Sequence, residues 1–242
     1  MKINHIRLDE VDSTNNYLKE HRMELPDGTL VTAGLQTAGK GRRGHDWLAD
    51  RGMLPFSLLL KNPPHPDTIT LCAAVAVCGA LENLLPDEKF GIKWPNDIIL
   101  LGHKLCGILC ESVCFGSSMD IVCGIGINIS QTAEFFERAN IPHGGSVEML
   151  TCKKIADREA LAEDVACRLY AYTRSGFDGI SQDYIDHCLT IGKRIRIIEN
   201  GSVREAFAEG IAPNGFLICS DENGRFEVNS GEVSVRGLLD YI

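Results

Sequence analysis

Residues 34 to 44 read GLQTAGKGRRG. Gly34, Gly39 and Lys40 have the G-x4-G-K spacing of a phosphate-binding P-loop, where amides and a lysine cradle phosphates and the next residue's hydroxyl holds magnesium. Gly41 stands where that hydroxyl is needed. A P-loop also runs straight into a helix, whereas RRGHDWLADRGMLPF reads as loop and then strand. Gly39, Gly41 and Gly44 satisfy G-x-G-x-x-G as well, but a dinucleotide site needs its third glycine to open a crossover helix. With both motifs set aside, the glycines still let a backbone approach a ligand closely, and Lys40, Arg42 and Arg43 still attract an anion. A solvated basic turn accounts for the same residues.

Three other stretches carry possible chemistry. In CGIGINIS, strand alternation puts Gly124, Gly126, Asn128 and Ser130 on one face and Cys123, Ile125, Ile127 and Ile129 on the other. The first face is nearly bare, and Asn128 favours a ligand groove there, because a helix packed on it would strand the amide. Lys104 falls in line with Cys106, Ile108 and Cys110, with Gly107 on the opposite face, so its ammonium either projects from an apolar face or is an ordinary turn lysine. In KWPND, Pro95 holds Trp94 extended and Asn96-Asp97 reads as turn chemistry. Ser13, Thr14 and Asn15 either cap a helix or present hydroxyls and an amide to an anion.

The elements that position these residues follow from pattern. The first dozen residues read as a strand, DSTNNYLKEH as a helix capped within Asp12, Ser13 and Thr14, and LVTAGLQ and MLPFSLLLK as strands on either side of the glycine loop. DTITLCAAVAVCGALENLL is a helix stopped by Pro86. GIKWPNDIILLGHKLCGILCES reads as strand, turn and hairpin with Gly102-His103 as the two-residue turn, and DIVCGIGINIS as another strand. SQTAEFFERANIPHGGS is a loop holding an imperfect helix, and two helical patterns follow in ADREALAEDVACRLYAYTRS and DGISQDYIDHCL. From Gly192 the texture changes to short alternating segments with NG turns, which predicts a small barrel and a domain boundary near residue 190.

Composition bounds the class. Hydrophobic residues make up 44% and charged residues 24% of 242 residues, the balance of a soluble globular chain. The acidic start lacks a signal-peptide pattern and no uninterrupted apolar run is long enough for a span, so a cytoplasmic protein is expected. The ten cysteines lie mostly in apolar strings without a CxxC pair, which predicts buried, reduced thiols. A formal charge of −9 argues against a nucleic-acid surface and makes the local Lys40, Arg42, Arg43 cluster more informative. Residue chemistry alone stops at a pocket for a small anionic ligand.

Taken together, DSTNNYL, QTAGKGRRGHDW, KWPNDIILLGHKLCGIL.E, GIGIN and the terminal SGEVSVR resemble biotin protein ligases, in that order and at similar spacing over nearly the whole chain. The resemblance implies an α+β fold: a catalytic domain like that of class II aminoacyl-tRNA synthetases, a mixed sheet flanked by helices over residues 1–189, and an SH3-like barrel over 190–242. It implies an enzyme that activates biotin with ATP and Mg2+ as biotinyl-5′-adenylate, releases pyrophosphate, and passes biotin to one lysine of a carboxylase carrier domain. Ser13, Thr14, Asn15, Gln36, Lys40, Gly41, Arg42, Lys104 and Gly107 are then expected at biotin, and Arg42, Trp47, Asn96, Lys104, Asn128 and Arg236 at the nucleotide. Lys104 and Arg42 would carry catalysis, no protein metal cluster is expected, and Asp97 would assist the metal or the incoming lysine. The ATP-contacting loop falls within residues 130–150 without assignment by residue. Lys40 and His45 depart from the arginine-rich loop of the family; lysine keeps charge but loses the planar fork. A start of the DSTNN motif at residue 12 predicts no DNA-binding domain, and the family resemblance leaves monomer and homodimer both open. Lipoate ligation on the same fold and a non-catalytic biotin-binding protein are the alternatives.

Overall fold

The computed structural model describes residues 3–44, 47, 48, 50–116, 118–199, 201–230 and 234–237. His45 lies outside them. Two sheets organise these residues. The first holds β1 (Asn4–Val11), β2 (Thr29–Gln36), β3 (Met53–Lys61), β4 (Gly91–Lys93), β5 (Asp97–Leu100), β6 (His103–Phe115) and β7 (Ser118–Asn128) in the order β1-β2-β3-β7-β6-β5-β4. Only the β1–β2 pair is parallel, so the sheet is mixed, as the resemblance implied.

Alternation along the central strands sends side chains to two different packing partners. Val31, Leu59 and Val122 face Leu18 of α1 (Thr14–His21) and form a small cluster. Their neighbours Leu30, Leu58 and Cys123 join the main core with α2 (Ile69–Leu84) and α5 (Arg158–Ser175). The remaining helices are α3 (Ala133–Arg138), α4 (Val147–Thr151) and α6 (Ser181–His187). The stretch Pro66–Leu84 is long and apolar enough to cross a bilayer by composition, but two thirds of it is buried inside this fold, the pattern of a core helix.

The hairpin between β5 and β6 turns at Leu101-Gly102, one residue before the expected Gly102-His103. Both turn residues have positive φ, 49° and 81°. That is the pair of left-handed conformations that matches strand twist in a two-residue turn, and it frees His103 to open β6 opposite Leu100.

The second sheet has the order β11-β10-β9-β8-β12, all antiparallel, from β8 (Arg194–Glu199), β9 (Ser202–Ile211), β10 (Leu217–Asp221), β11 (Gly224–Val228) and β12 (Ser234–Gly237). Trp94 ties the two sheets together. It is 2% exposed, its indole N–H donates to the Gly215 carbonyl at 3.1 Å, and its amide donates to Thr190 Oγ1 at 3.0 Å. The KWPND turn is therefore a seat for the second sheet as well as a turn.

Candidate active site

One cavity of about 460 Å3 gathers nearly all the residues singled out from the sequence. It lies on the α1 face of the first sheet, over the bare face of β7, and its lining includes Ser13, Thr14, Asn15, Gln36, Lys40, Gly41, Arg42, Trp47, Asn96, Asp97, Lys104, Gly107, Asn128 and Arg236. That volume is in the range of small-molecule sites. Lys40 is exposed at the rim. The glycine loop runs only into a three-residue turn at Arg42–Gly44, and β3 returns antiparallel to β2, so neither a P-loop helix nor a parallel crossover follows it.

Floor and seat depend on glycine. Gly107 and Gly126 are directly opposed across β6 and β7, and the Trp47 indole rests on both. A Cβ at Gly107 would stand 2.7 Å from Trp47 Cζ3, and one at Gly126 would stand 2.8 Å from Nε1. Gly124 makes room for the Asn15 amide, which a Cβ there would meet more closely still. Trp47 is held from the other side by its N–H to Met53 Sδ at 2.7 Å and by the Lys104 ammonium 5.1 Å from its ring centroid. Gly126→Ala is expected to lift the indole, shifting tryptophan emission to the red and lowering stability by about 1–3 kcal/mol in urea unfolding, the scale of an overpacking cost. Unchanged emission and stability would show that the glycine is dispensable.

At the closed end, helix α1 and strands β2, β3 and β6 build a chain of polar contacts. The Thr14 amide and hydroxyl both reach Gln36 Oε1, at 2.8 and 2.9 Å. The Thr14 and Ser57 hydroxyls are 2.7 Å apart, and Ser57 Oγ is 2.6 Å from Asn15 Oδ1. Asn15 is oriented by its NH2, which donates to Glu111 at 2.7 Å; Gln36 is oriented by the Thr14 amide. Three oxygen–oxygen contacts therefore share two hydroxyl protons, so the chain is one donor short. A ligand that brings its own N–H groups completes it. Burial raises the Glu111 carboxyl, but hydrogen bonds from Lys19 and Asn15 outweigh that and hold it below its ordinary range. The Ser13 hydroxyl makes no cap bond, so helix capping does not account for this polar cluster.

The catalytic-looking end is positively charged. Strict alternation had set Lys104 and Gly107 on opposite faces, but a bulge changes this. Ile98 pairs with Cys106 and Ile99 with Lys104, so Leu105 is the extra residue and Lys104 turns onto the face of Gly107. Its ammonium lies 2.5 Å from Asp97 Oδ1. The Arg42 guanidinium donates to Asn96 Oδ1 at 2.9 Å and also to the Ser230 carbonyl, joining the glycine loop to the KWPND turn and the second sheet. Arg236, on β12, reaches the lining from that sheet.

The third wall is the segment that sequence left unassigned. Phe135, Phe136 and residues 140–144 line the cavity. They are fixed by the Lys104 amide, which donates to the His143 carbonyl at 2.7 Å, and by the Gly145 amide, which donates to the Lys104 carbonyl at 3.1 Å. Asn128 donates to the Gly145 carbonyl at 3.0 Å, so part of its role is to hold this wall. Ser57 and Lys93 were also missed. Ser57 had one available signal, a single hydroxyl inside the apolar run MLPFSLLLK.

Comparison with known proteins gives a consistent picture. Residues 8–128 match the biotin/lipoate A/B protein ligase family, and residues 190–236 match the biotin protein ligase C-terminal domain. The chain is 31% identical over 221 residues to the biotin–[acetyl-CoA-carboxylase] ligase of Mycobacterium tuberculosis, covering 86% of this chain and 79% of that protein. It is 37% identical over 235 residues to the bifunctional ligase/repressor BirA of Escherichia coli, covering 93% and 72%. Among solved structures, the biotin protein ligase of Aquifex aeolicus in complex with biotin and ATP superposes with a TM-score of 0.82 at 30% identity, over 97% of this chain and 99% of that one.

Proposed function

The chain belongs to the biotin protein ligase family, and from that premise we propose that it makes biotinyl-5′-adenylate from biotin and ATP and transfers the biotin to a lysine of a carboxylase carrier domain. The observation that carries the proposal is the convergence of a donor-short polar chain and a cluster of cations on one cavity, with Lys104 between them. Biotin's ureido N–H groups suit the oxygens of Thr14, Ser57, Asn15 and Gln36. Its valeryl chain would follow the glycine floor beside Trp47, bringing the carboxylate to Lys104.

In the first step a carboxylate oxygen attacks the α-phosphorus, the bond to the bridging oxygen breaks, and pyrophosphate leaves. Both reactants are anions, and Lys104 and Arg42 supply positive charge where repulsion is greatest. Magnesium would arrive with the triphosphate. No group of three or more metal-ligating side chains occurs among the described residues, so phosphate oxygens would hold the ion, with Asp97 as the lining carboxylate able to add to them. Adenosine would occupy the wall formed by Phe135, Phe136 and residues 140–144. In the second step the carrier amine attacks the acyl carbon, a C–N bond forms, the C–O bond to AMP breaks, and the amine gives up a proton. Asp97 would receive it.

The test is to incubate the protein with ATP, magnesium, a carrier domain and either biotin or lipoate, and to weigh the carrier by mass spectrometry. A biotin adduct on one lysine is expected. A lipoyl adduct would transfer the proposal to the other branch of the family, and no adduct with either acid would overturn it.

A further inference from the structure

We propose that Cys110 and Cys123 form an oxidisable dithiol behind the biotin pocket, closed to a disulfide by a hydroperoxide and reopened by a thiol reductant, and that closing it weakens biotin binding. The disulfide stands apart from the function proposed above; only its effect on biotin rests on that reading. The two residues are directly paired across β6 and β7, and their sulfurs lie 3.4 Å apart, one thiol donating to the other. Directly opposed residues of an antiparallel pair have Cα atoms about 4.5–5.5 Å apart, inside the roughly 4.4–6.8 Å that a disulfide spans. Sheet pairing therefore already holds the two thiols in range of each other.

Packed core thiols are the simpler account, and Cys72, Cys78 and Cys106 are such thiols, fully buried. Cys110 differs from them in two ways. It is only partly buried, just past the point where β5 stops pairing with β6 at Gly107, so that β7 is its only strand partner among the described residues. Its thiol is also held below its ordinary value, chiefly by the hydrogen bond with Cys123, whereas that bond and burial push Cys123 well above its own. Cys110 is thus the sulfur that meets the oxidant and Cys123 the one that resolves it. The Cys110 sulfur takes an oxygen from the hydroperoxide, the O–O bond breaks, and an alcohol leaves, or water when the oxidant is hydrogen peroxide; Cys110 becomes a sulfenic acid. The Cys123 sulfur then displaces the hydroxyl, the S–S bond forms, and the Cys123 proton leaves with the hydroxide as water. Two thiols lose two electrons and the peroxide gains them.

Each cysteine is next in sequence to a residue that seats Asn15. On either side of Cys110, the Leu109 carbonyl and the Glu111 carboxylate accept from the Asn15 NH2, at 3.3 and 2.7 Å, and Gly124, after Cys123, leaves room for the amide. To bond, the sulfurs close from 3.4 Å to about 2.05 Å and take up a dihedral near 90°. That pulls both strands together beneath Asn15, and the polar chain that ends at its Oδ1 loses its geometry.

Hydrogen peroxide is the probe. The treated protein is expected to lose the mass of two hydrogens, with the cross-link mapped to Cys110 and Cys123 by tandem mass spectrometry after cleavage before Asp120, which separates them. Its dissociation constant for biotin, by titration calorimetry, is expected to rise about tenfold, the size of one lost charged hydrogen bond, and dithiothreitol is expected to reverse both changes. Cys123→Ala is expected to bind biotin like the reduced wild type and to lose both responses; the mapping in the wild type does not depend on that variant folding. The exposed Cys152 serves as an internal standard for oxidation. Absence of the Cys110–Cys123 link once Cys152 is oxidised, a complete link with unchanged biotin affinity, or an affinity loss that persists in Cys123→Ala would each overturn the proposal. Failure of the reduced protein to biotinylate a carrier would instead strike the ligase function, and the cross-link, read by mass alone, would be untouched by it.

Discussion

Replacing Lys104 with Met is expected to lower the rate of biotinyl-adenylate formation about a thousandfold, with biotin affinity changed far less, because one electrostatic contact to a charge that develops in the transition state carries effects of that order. The structure makes the case from three sides. The ammonium sits 2.5 Å from Asp97 and 5.1 Å from the Trp47 ring centroid, between the polar chain and the wall of residues 140–144. Its backbone also bonds that wall in both directions, through the His143 carbonyl and the Gly145 amide. Met keeps the backbone bonds and most of the side-chain volume, so it isolates the charge. Lys104→Arg is a useful partner variant, because it keeps the charge but spreads it over a planar fork in a bulged strand shaped for a point charge. Pyrophosphate exchange into ATP reads adenylation alone, and a Met variant with near wild-type exchange would show that Lys104 is not at the reacting phosphorus. Since Asp97 would lose the Lys104 ammonium, carrier labelling from preformed biotinyl-adenylate should be measured as well. Transfer that survives while adenylation is lost separates the two steps.

How much of this site could be read beforehand depends on how far each residue's position is fixed by local pattern. The face carrying Gly124, Gly126 and Asn128 follows from period-two alternation alone, and those residues do line the cavity. The same rule misplaced Lys104 relative to Gly107, because one extra residue at Leu105 inverts every face beyond it. A bulge has no composition signal in KLCGIL, and the turn lies at Leu101-Gly102 because Leu101 adopts a positive φ that a leucine does not advertise. Ser57 and Glu111 needed tertiary partners to acquire meaning: one is a lone hydroxyl in an apolar strand and the other sits beside Ser112 until α1 brings Asn15 over both and Lys19 over Glu111. The wall at residues 140–144 has no regular structure, and what fixes it is hydrogen bonding to the Lys104 backbone, a long-range fact. The resemblance supplied residue roles that physics left open, including a ligand role for the helix start in DSTNN, where residue chemistry alone favours a cap.

Arg42→Gly is expected to release biotinyl-adenylate about a hundredfold faster while leaving its synthesis largely intact, so that lysines on bystander proteins become labelled. In this structure the Arg42 guanidinium is the joint between three segments, donating to Asn96 in the KWPND turn and to the Ser230 carbonyl beyond β11 while its own backbone belongs to the glycine loop. Hydrogen bonds from a charged donor contribute about 1.5–3 kcal/mol each, and losing the equivalent of one of them corresponds to about ten- to 150-fold in retention. The stated effect lies in the upper part of that range. Glycine also adds freedom to a loop that already holds Gly39, Gly41 and Gly44, which lowers the population closed over the adenylate. Trp47 depends on the same closure: its amide donates to the Gly39 carbonyl at 3.0 Å, so an open loop withdraws the indole from the glycine floor. Two controls tell anchoring from charge. Asn96→Ala removes one anchor and leaves the guanidinium, and it should shorten adenylate retention by a smaller factor. Arg42→Lys keeps the charge without the two-point fork and should fall between wild type and glycine. Retention is read by rapid filtration of radiolabelled adenylate, and bystander labelling by mass spectrometry of added carrier-free protein. If Arg42→Gly holds its adenylate as long as the wild type and labels only the carrier, the loop does not close over the intermediate. The cationic cluster would then serve the arriving triphosphate alone.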